Sequence, residues 1–264
     1  MIELAEKLEI SQETIKKLQS LINKDSTKIY HCAEMCMTKG FHHLKSKSQI
    51  FILAVILKLA VDIKTEYDKV GIDEKTYYDT MSDIKIWCDK TDGKGLKNYN
   101  WLKNHVSFEL FRLGRLQFQL YECKNKNLLY DKLPFDYGEK LIYVHIPEGE
   151  SLDEEKCRKS FRDAKTFFNH YFPQYKYSYF FCESWILFEG NKDFMAEDSN
   201  ILNFSSLFDI CYSVKNDDQA IERIFGKRKL LKSNYSEKTT LQRRAKQYMF
   251  EGNRLGMGIG VRKA

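Results

Sequence analysis

Glu183 and His145 are the two side chains best suited by type and setting to move a proton. Glu183 stands in Phe181-Cys-Glu-Ser-Trp185, inside a run from Tyr175 to Phe188 that is rich in Tyr, Phe and Trp. A carboxylate in apolar surroundings holds its proton to higher pH, which suits a general base for an ammonium nucleophile. The other reading is a buried glutamate tied to an arginine, with Arg112 or Arg115 as partner. His145 ends Lys140-Leu-Ile-Tyr-Val-His145, just ahead of Ile146-Pro147. Imidazole titrates near neutral pH, so His145 is a second candidate base, with a purely structural histidine as the alternative. Ser184, beside Glu183, is a candidate hydrogen-bond donor, but no Gly-x-Ser-x-Gly elbow surrounds it, which argues against a serine nucleophile. None of the seven cysteines has an evident histidine partner, so attack is expected to be direct, without a covalent intermediate.

These side chains need strands to hold them. Residues 140–147 read as a short strand stopped by Pro147, which lacks an amide donor. The turn Glu148-Gly-Glu-Ser151 follows. From Asp153 to Tyr171, apolar residues at 157, 161, 164, 167, 168 and 171 fall at helical spacing. The run from Tyr175 to Phe188 reads as the next strand. A strand that parts from its neighbour and feeds a helix N-terminus is a ready phosphate site. Against this, Glu150, Asp153, Glu154 and Glu155 complement the helix dipole with no ligand at all. The turn also lacks the glycine-rich phosphate fingerprint.

Around this centre, residues 108–122 read as a strand that alternates from Arg115 onward, with Leu116, Phe118 and Leu120 on one face. Gly114 inside it suggests a bulge or a close backbone approach, and Arg112 and Arg115 flank it as ligand contacts or ordinary ion pairs. Residues 124–139 read as a polar connection. Asp198 or Ser199 reads as a helix N-cap, with ligand binding by Ser199 and Asn200 as the alternative. Further on come a strand over 208–214 and helices over 217–225 and 239–250. Gly256, Gly258 and Gly260 alternate, which bares one strand face to close approach. Residues 1–78 read as a helical packing module. Residues 77–89 and 98–105 also read as helical.

Composition excludes several classes. With 43% hydrophobic and 30% charged residues over 264, the chain is a folded protein. Its longest apolar run, Ile50 to Val61, is broken by Lys58 and is too short to span a bilayer, so no membrane association is expected. Seven scattered cysteines with no secretion signal suggest reduced thiols and a cytoplasmic location. His31, Cys32, Cys36, His42 and His43 lack a zinc spacing, so no metal is expected. The net charge of +6 gathers late, at 226–229, Lys232, Arg243-Arg244 and Lys246. With no nucleic-acid motif beside it, this is read as a solvated face or a patch for a polyphosphate.

In this order and spacing, Asp83-Ile-Lys-Ile-Trp87, Phe111-Arg-Leu-Gly-Arg-Leu-Gln-Phe118, Val144-His-Ile-Pro-Glu-Gly149, Phe181-Cys-Glu-Ser-Trp185, Asp198-Ser-Asn200 and Gly256-Met-Gly-Ile-Gly260 carry a resemblance. The chain resembles bacterial GNAT-type acyltransferases that join an N-terminal helical acyltransferase region to a GNAT-like C-terminal domain. The resemblance implies an α/β (α+β) fold, a GNAT-like mixed sheet flanked by helices, with a helical region at 1–78 and the acyltransferase domain at 79–264. It implies transfer of an acyl group, acetyl by expectation, from acyl-CoA to a small-molecule or peptide amine. Acetyl-CoA or another acyl-CoA would lie at the parted strands, held by backbone amides of Gly149, Glu150 and Ser151. A strand amide near Ile146 would polarise the carbonyl, with Glu183 or His145 as base. Arg112, Arg115, Ser184, Ser199 and Asn200 are the expected acceptor contacts. Where ordinary GNAT proteins carry Arg/Gln-x-x-Gly-x-Gly/Ala, this chain has Ile146-Pro-Glu-Gly-Glu-Ser151. That departure keeps open a catalytically silent binding module for a small ligand or a protein.

Overall fold

The computed structural model describes residues 1–124 and 133–264, so the connection expected over 124–139 lies partly outside the described residues. The described chain divides into two compact units. One comprises Met1–Gln119 with Ile146–Glu150, the other Leu120–His145 with Ser151–Ala264.

The first unit is mostly helical: α1 (Ile2–Lys7), α2 (Gln12–Lys39), α3 (Gln49–Val70), α4 (Glu74–Met81), α5 (Asp83–Asp89) and α6 (Tyr99–Val106). Ser11 and Asp73 start α2 and α4 by accepting the amides of Thr14 and Thr76, which a helix start otherwise leaves unpaired. Gly71, in the left-handed conformation, closes α3. The broad apolar pattern of α3 becomes burial on most sides, with Ile52 through Leu57 all inside. Tyr67 meets Tyr77, Phe108 and Phe111 edge-on, with centroids 5.0–5.7 Å away, a favoured aromatic geometry.

Residues 108–122 form a hairpin rather than one strand. β1 (Leu110–Leu113) turns back at Gly114-Arg115 and pairs antiparallel with β2 (Leu116–Glu122), Leu113 opposite Leu116. A two-residue hairpin turn needs positive φ, and Gly114 supplies it at 70°. Both arms are apolar-rich, so the pattern alone does not show where the chain reverses. Gln117 alternates with Leu116 and Phe118, yet it is fully buried and lies 3.3 Å from His105 Nε2.

The second unit continues through β3 (Lys140–His145), α7 (Glu154–Tyr171), β4 (Tyr179–Ser184), α8 (Asn200–Ser205), β5 (Asp209–Val214), α9 (Asp218–Phe225), α10 (Thr240–Phe250) and β6 (Met257–Lys263). Among the described residues, six strands form one mixed sheet in the order β1-β2-β3-β4-β6-β5. β3 and β4 are parallel, while β6 runs antiparallel to both β4 and β5. The helix expected after the turn is α7, and Asp153 caps it by accepting the amide of Lys156. Its Phe161 packs against Phe180 and Phe208 on one sheet face. The other face carries Tyr121, Tyr143, Phe181, Ile259 and Val261, together with Leu133, Phe135 and Leu141.

The strand expected over 175–188 is shorter than its composition suggests. Ser184 Oγ accepts the amide of Ile186 and starts a 3₁₀ turn at Trp185–Leu187, which ends β4. That turn and Phe188 after it lie against Gly258 and Gly260 of β6 and Gly256 just before it. A Cβ on Gly258 would sit 2.0 Å from the Leu187 carbonyl oxygen, and one on Gly256 would sit 2.4 Å from the Phe188 ring. The alternate glycines therefore do admit another backbone. Among the described residues, no helix is long and apolar enough to cross a membrane.

Candidate functional site

In the second unit, β3 and β4 pair at Ile142–Phe180 and Tyr143–Phe181. Among the described residues their pairing ends there, although β3 runs on to His145 and β4 to Ser184. β4 stays paired with β6 through Glu183–Ile259 and Ser184–Gly258. The ladder between the two parallel strands thus stops two residues short of the end of β3, where Ile146-Pro147 follows. Continuing the register by two residues brings His145 level with Glu183, on the face of Tyr143 and Phe181.

Glu183 is half-buried, and burial raises the pKa of its carboxyl above the ordinary glutamate value. Among the described residues its carboxylate has no hydrogen-bond or ion-pair partner. Cys182, pointing to the opposite face, is fully buried, and burial together with the charge of Glu183 pushes its thiol up. The His145 ring lies 4.2 Å from that of Tyr143. Tyr143 in turn lies 5.0 Å from Phe181 and 5.4 Å from Tyr121, so the two candidate bases stand beside an aromatic shelf. Tyr121 and Tyr143 carry no signal of their own in the sequence. They emerge only when the period-two faces of separate strands are placed side by side.

In the first unit, the loop from Ile146 to Glu150 is held by side chains. The buried Arg115 donates from one guanidinium nitrogen to the Pro147 carbonyl at 2.9 Å and from the other to the Glu150 carbonyl at 2.7 Å. Arg112 donates to the Glu150 carboxylate at 2.7 Å and to Ser82 Oγ at 3.1 Å. Lys90 donates to the Glu148 carboxylate at 2.6 Å while lying 4.2 Å over the Trp87 ring. The two acidic residues of the turn are thereby paired with cations. Among the described residues, the amides of Gly149 and Glu150 donate to no protein acceptor. Gly149 has φ of 100°, and a Cβ there would meet open space.

The structure separates roles that the sequence leaves together. Arg112 and Arg115 hold the 146–150 loop. Ser184 caps the 3₁₀ turn, and Ser199 caps α8, whose first residue is the exposed Asn200. Ser151 lies in the second unit, two residues ahead of the cap of α7.

Sequence reasoning also passed over a buried polar group in the first unit. Asp83 Oδ2 accepts from Trp101 Nε1 at 2.7 Å and lies 3.2 Å from His105 Nε2. Burial works against its charge, but hydrogen bonds from His105, Trp101 and Gln117 outweigh it and hold the carboxyl below its usual range. The motif Asp83-Ile-Lys-Ile-Trp87 was visible in the sequence, whereas its partners lie 18 and more residues away.

Comparison with known proteins agrees with this architecture. Residues 1–108 match the family model of an N-acyltransferase N-terminal domain, and residues 110–262 that of a GNAT-like C-terminal domain. No curated protein sequence matches significantly. Among solved structures, an acyltransferase in complex with decanoyl-CoA and teicoplanin aligns at 19% identity with a TM-score of 0.79, covering 99% of this chain and 86% of that one. The same figures hold for an acyltransferase mutant in complex with octanoyl-CoA. A complex with decanoyl-CoA aligns at 21% identity and a TM-score of 0.78, with the same coverage. With both family models together spanning nearly its whole length, the chain belongs to the family that joins an N-acyltransferase N-terminal domain to a GNAT-like C-terminal domain.

Proposed function

We propose that this protein is an N-acyltransferase that moves an acyl group from acyl-CoA to an amine by direct attack. The observation that carries the reading is the end of the β3–β4 ladder at Tyr143 and Phe181, with a half-buried Glu183 that has no partner among the described residues level with the end of β3 in the continued register. The thioester enters between the strands there. The amides of Gly149, Glu150 and Ser151 receive the diphosphate, those of Gly149 and Glu150 having no protein acceptor among the described residues. An amide near Ile146 polarises the acyl carbonyl.

The reaction follows from these groups. Glu183 takes a proton from the acceptor ammonium, and the neutral nitrogen attacks the thioester carbonyl. The tetrahedral intermediate collapses to the amide and expels the CoA thiolate, which takes up the nitrogen's second proton. His145 is the alternative base. The acceptor is a small-molecule or peptide-like amine, a reading supported by the teicoplanin complex among the similar structures. The decanoyl and octanoyl donors in those structures favour an acyl group longer than acetyl.

A thermal-shift and turnover series with CoA, acetyl-CoA, octanoyl-CoA and decanoyl-CoA tests the proposal. A rise in Tm with CoA esters, largest for the longer chains, supports it. No shift at millimolar CoA ester supports the second reading, a silent binding module. That reading is favoured by the departure of residues 146–151 from the usual GNAT turn.

A further inference from the structure

Residues 215–251 hold ten Lys and Arg against five Asp and Glu, so this stretch carries +5 of the chain's net charge of +6. Within it, Gly226 ends α9, and the run Lys227-Arg-Lys-Leu-Leu-Lys232 follows. Leu230 is 98% exposed and Leu231 58%. Lys232 donates to the Met249 carbonyl at 2.5 Å and brings the run to the end of α10, where Phe250 is 54% exposed.

The tip is held in place. Lys246 donates to the carbonyls of Ser233 and Tyr235, and the Tyr235 hydroxyl accepts the amide of Lys229 at 3.2 Å. Arg228 is tied to Asp217 and Asp218 at 2.6 and 2.7 Å. Among the described residues, the ammonium groups of Lys227 and Lys229 have no ion-pair partner.

A leucine with nearly all its surface in water, flanked by unpaired cations, is a specific combination. Nucleic acid would take up the cations but gain nothing from the leucines. An acidic protein would need an apolar pocket to receive them. A bilayer satisfies both, with apolar side chains below the headgroups and lysines at the phosphates. We propose that residues 226–232 form a docking tip for an anionic lipid surface, with Leu230 and Leu231 entering the interface and Lys227 and Lys229 at the headgroups. The tip needs no membrane-spanning helix, and it stands independently of acyl transfer.

The test is co-sedimentation of the full chain with vesicles of phosphatidylcholine alone or with phosphatidylglycerol added. Binding is expected only to the anionic vesicles and should weaken as salt rises. The double variant Leu230→Ser/Leu231→Ser should lower partitioning roughly tenfold. Lys227→Gln/Lys229→Gln should lower it by a similar factor, about tenfold or more, and flatten the salt dependence. Circular dichroism melts check that the surface variants fold. Independently, Leu230→Trp should show a blue-shifted emission on anionic vesicles. Failure of the parent chain to sediment at millimolar anionic lipid overturns the proposal. So does an unchanged partition of the leucine double variant, an unshifted emission from Leu230→Trp, or binding to an acidic protein alone.

Discussion

At the scale of single residues, the proposed chemistry rests on Glu183, whose carboxyl is raised by burial and has no partner among the described residues. The base must be ionised to work. The acid limb of kcat/KM should therefore sit above the ordinary glutamate range, with activity rising as pH rises through it. Glu183→Gln should cost on the order of a hundredfold in kcat and abolish that limb, as a pH–rate profile would show. A variant that keeps the limb would transfer the role to His145. Stability gives an independent readout with its own sign. Because folding raises this pKa, the folded state binds more protons, and stability falls as pH rises between the unfolded and folded values. Glu183→Gln should therefore match the parent near pH 4 and melt at an equal or higher temperature near pH 8.

Arg115 makes a contrasting case at the same scale. Its two bonds to loop carbonyls are charge-assisted, and the one to Pro147 is buried. Arg115→Met should lower stability by on the order of 3 kcal/mol in urea unfolding. Arg115→Lys should recover little of this, since an ammonium does not reproduce the guanidinium fork.

At the scale of elements, the short 3₁₀ turn at Trp185–Leu187 and the glycines of β6 specify one another. Gly258→Ala would drive a methyl into the Leu187 carbonyl, so it should cost about 3 kcal/mol or leave the chain insoluble. Gly149→Ala makes a useful comparison. Its Cβ meets open space, and only the φ of 100° opposes it. It should cost about 1 kcal/mol while weakening CoA binding through the amide proposed to hold the diphosphate. Titration calorimetry with CoA separates the two effects. The β1–β2 hairpin matters for the same reason, because it places Arg112 and Arg115 at the turn from which both reach the 146–150 loop.

At the scale of the whole chain, all seven cysteines are free thiols, and six of them are buried. Burial pushes the Cys36 thiol up to about 12 and raises Cys88, Cys182 and Cys211 as well. Thiolate, the reactive form, is correspondingly scarce. A thiol reagent should label Cys211 first in the native protein and all seven thiols only after denaturation. Labelling Cys211 should leave acyl transfer unchanged. Loss of turnover in step with that labelling would contradict direct attack and implicate a cysteine.

The sequence by itself determined the element types and much of the order. Helical spacing from Asp153 to Tyr171, the capping side chain at Ser199, and the alternate glycines 256, 258 and 260 are local signals, and the structure carries each of them. Local signals cannot show which strand lies beside which, or where a ladder stops. Only the tertiary structure decided that the β3–β4 ladder covers Ile142–Tyr143 and Phe180–Phe181, and that Gly114 turns a hairpin. It alone assigned Arg112 and Arg115 to a loop more than thirty residues away. Those outcomes depend on contacts between distant segments, whose energies no single stretch of sequence contains.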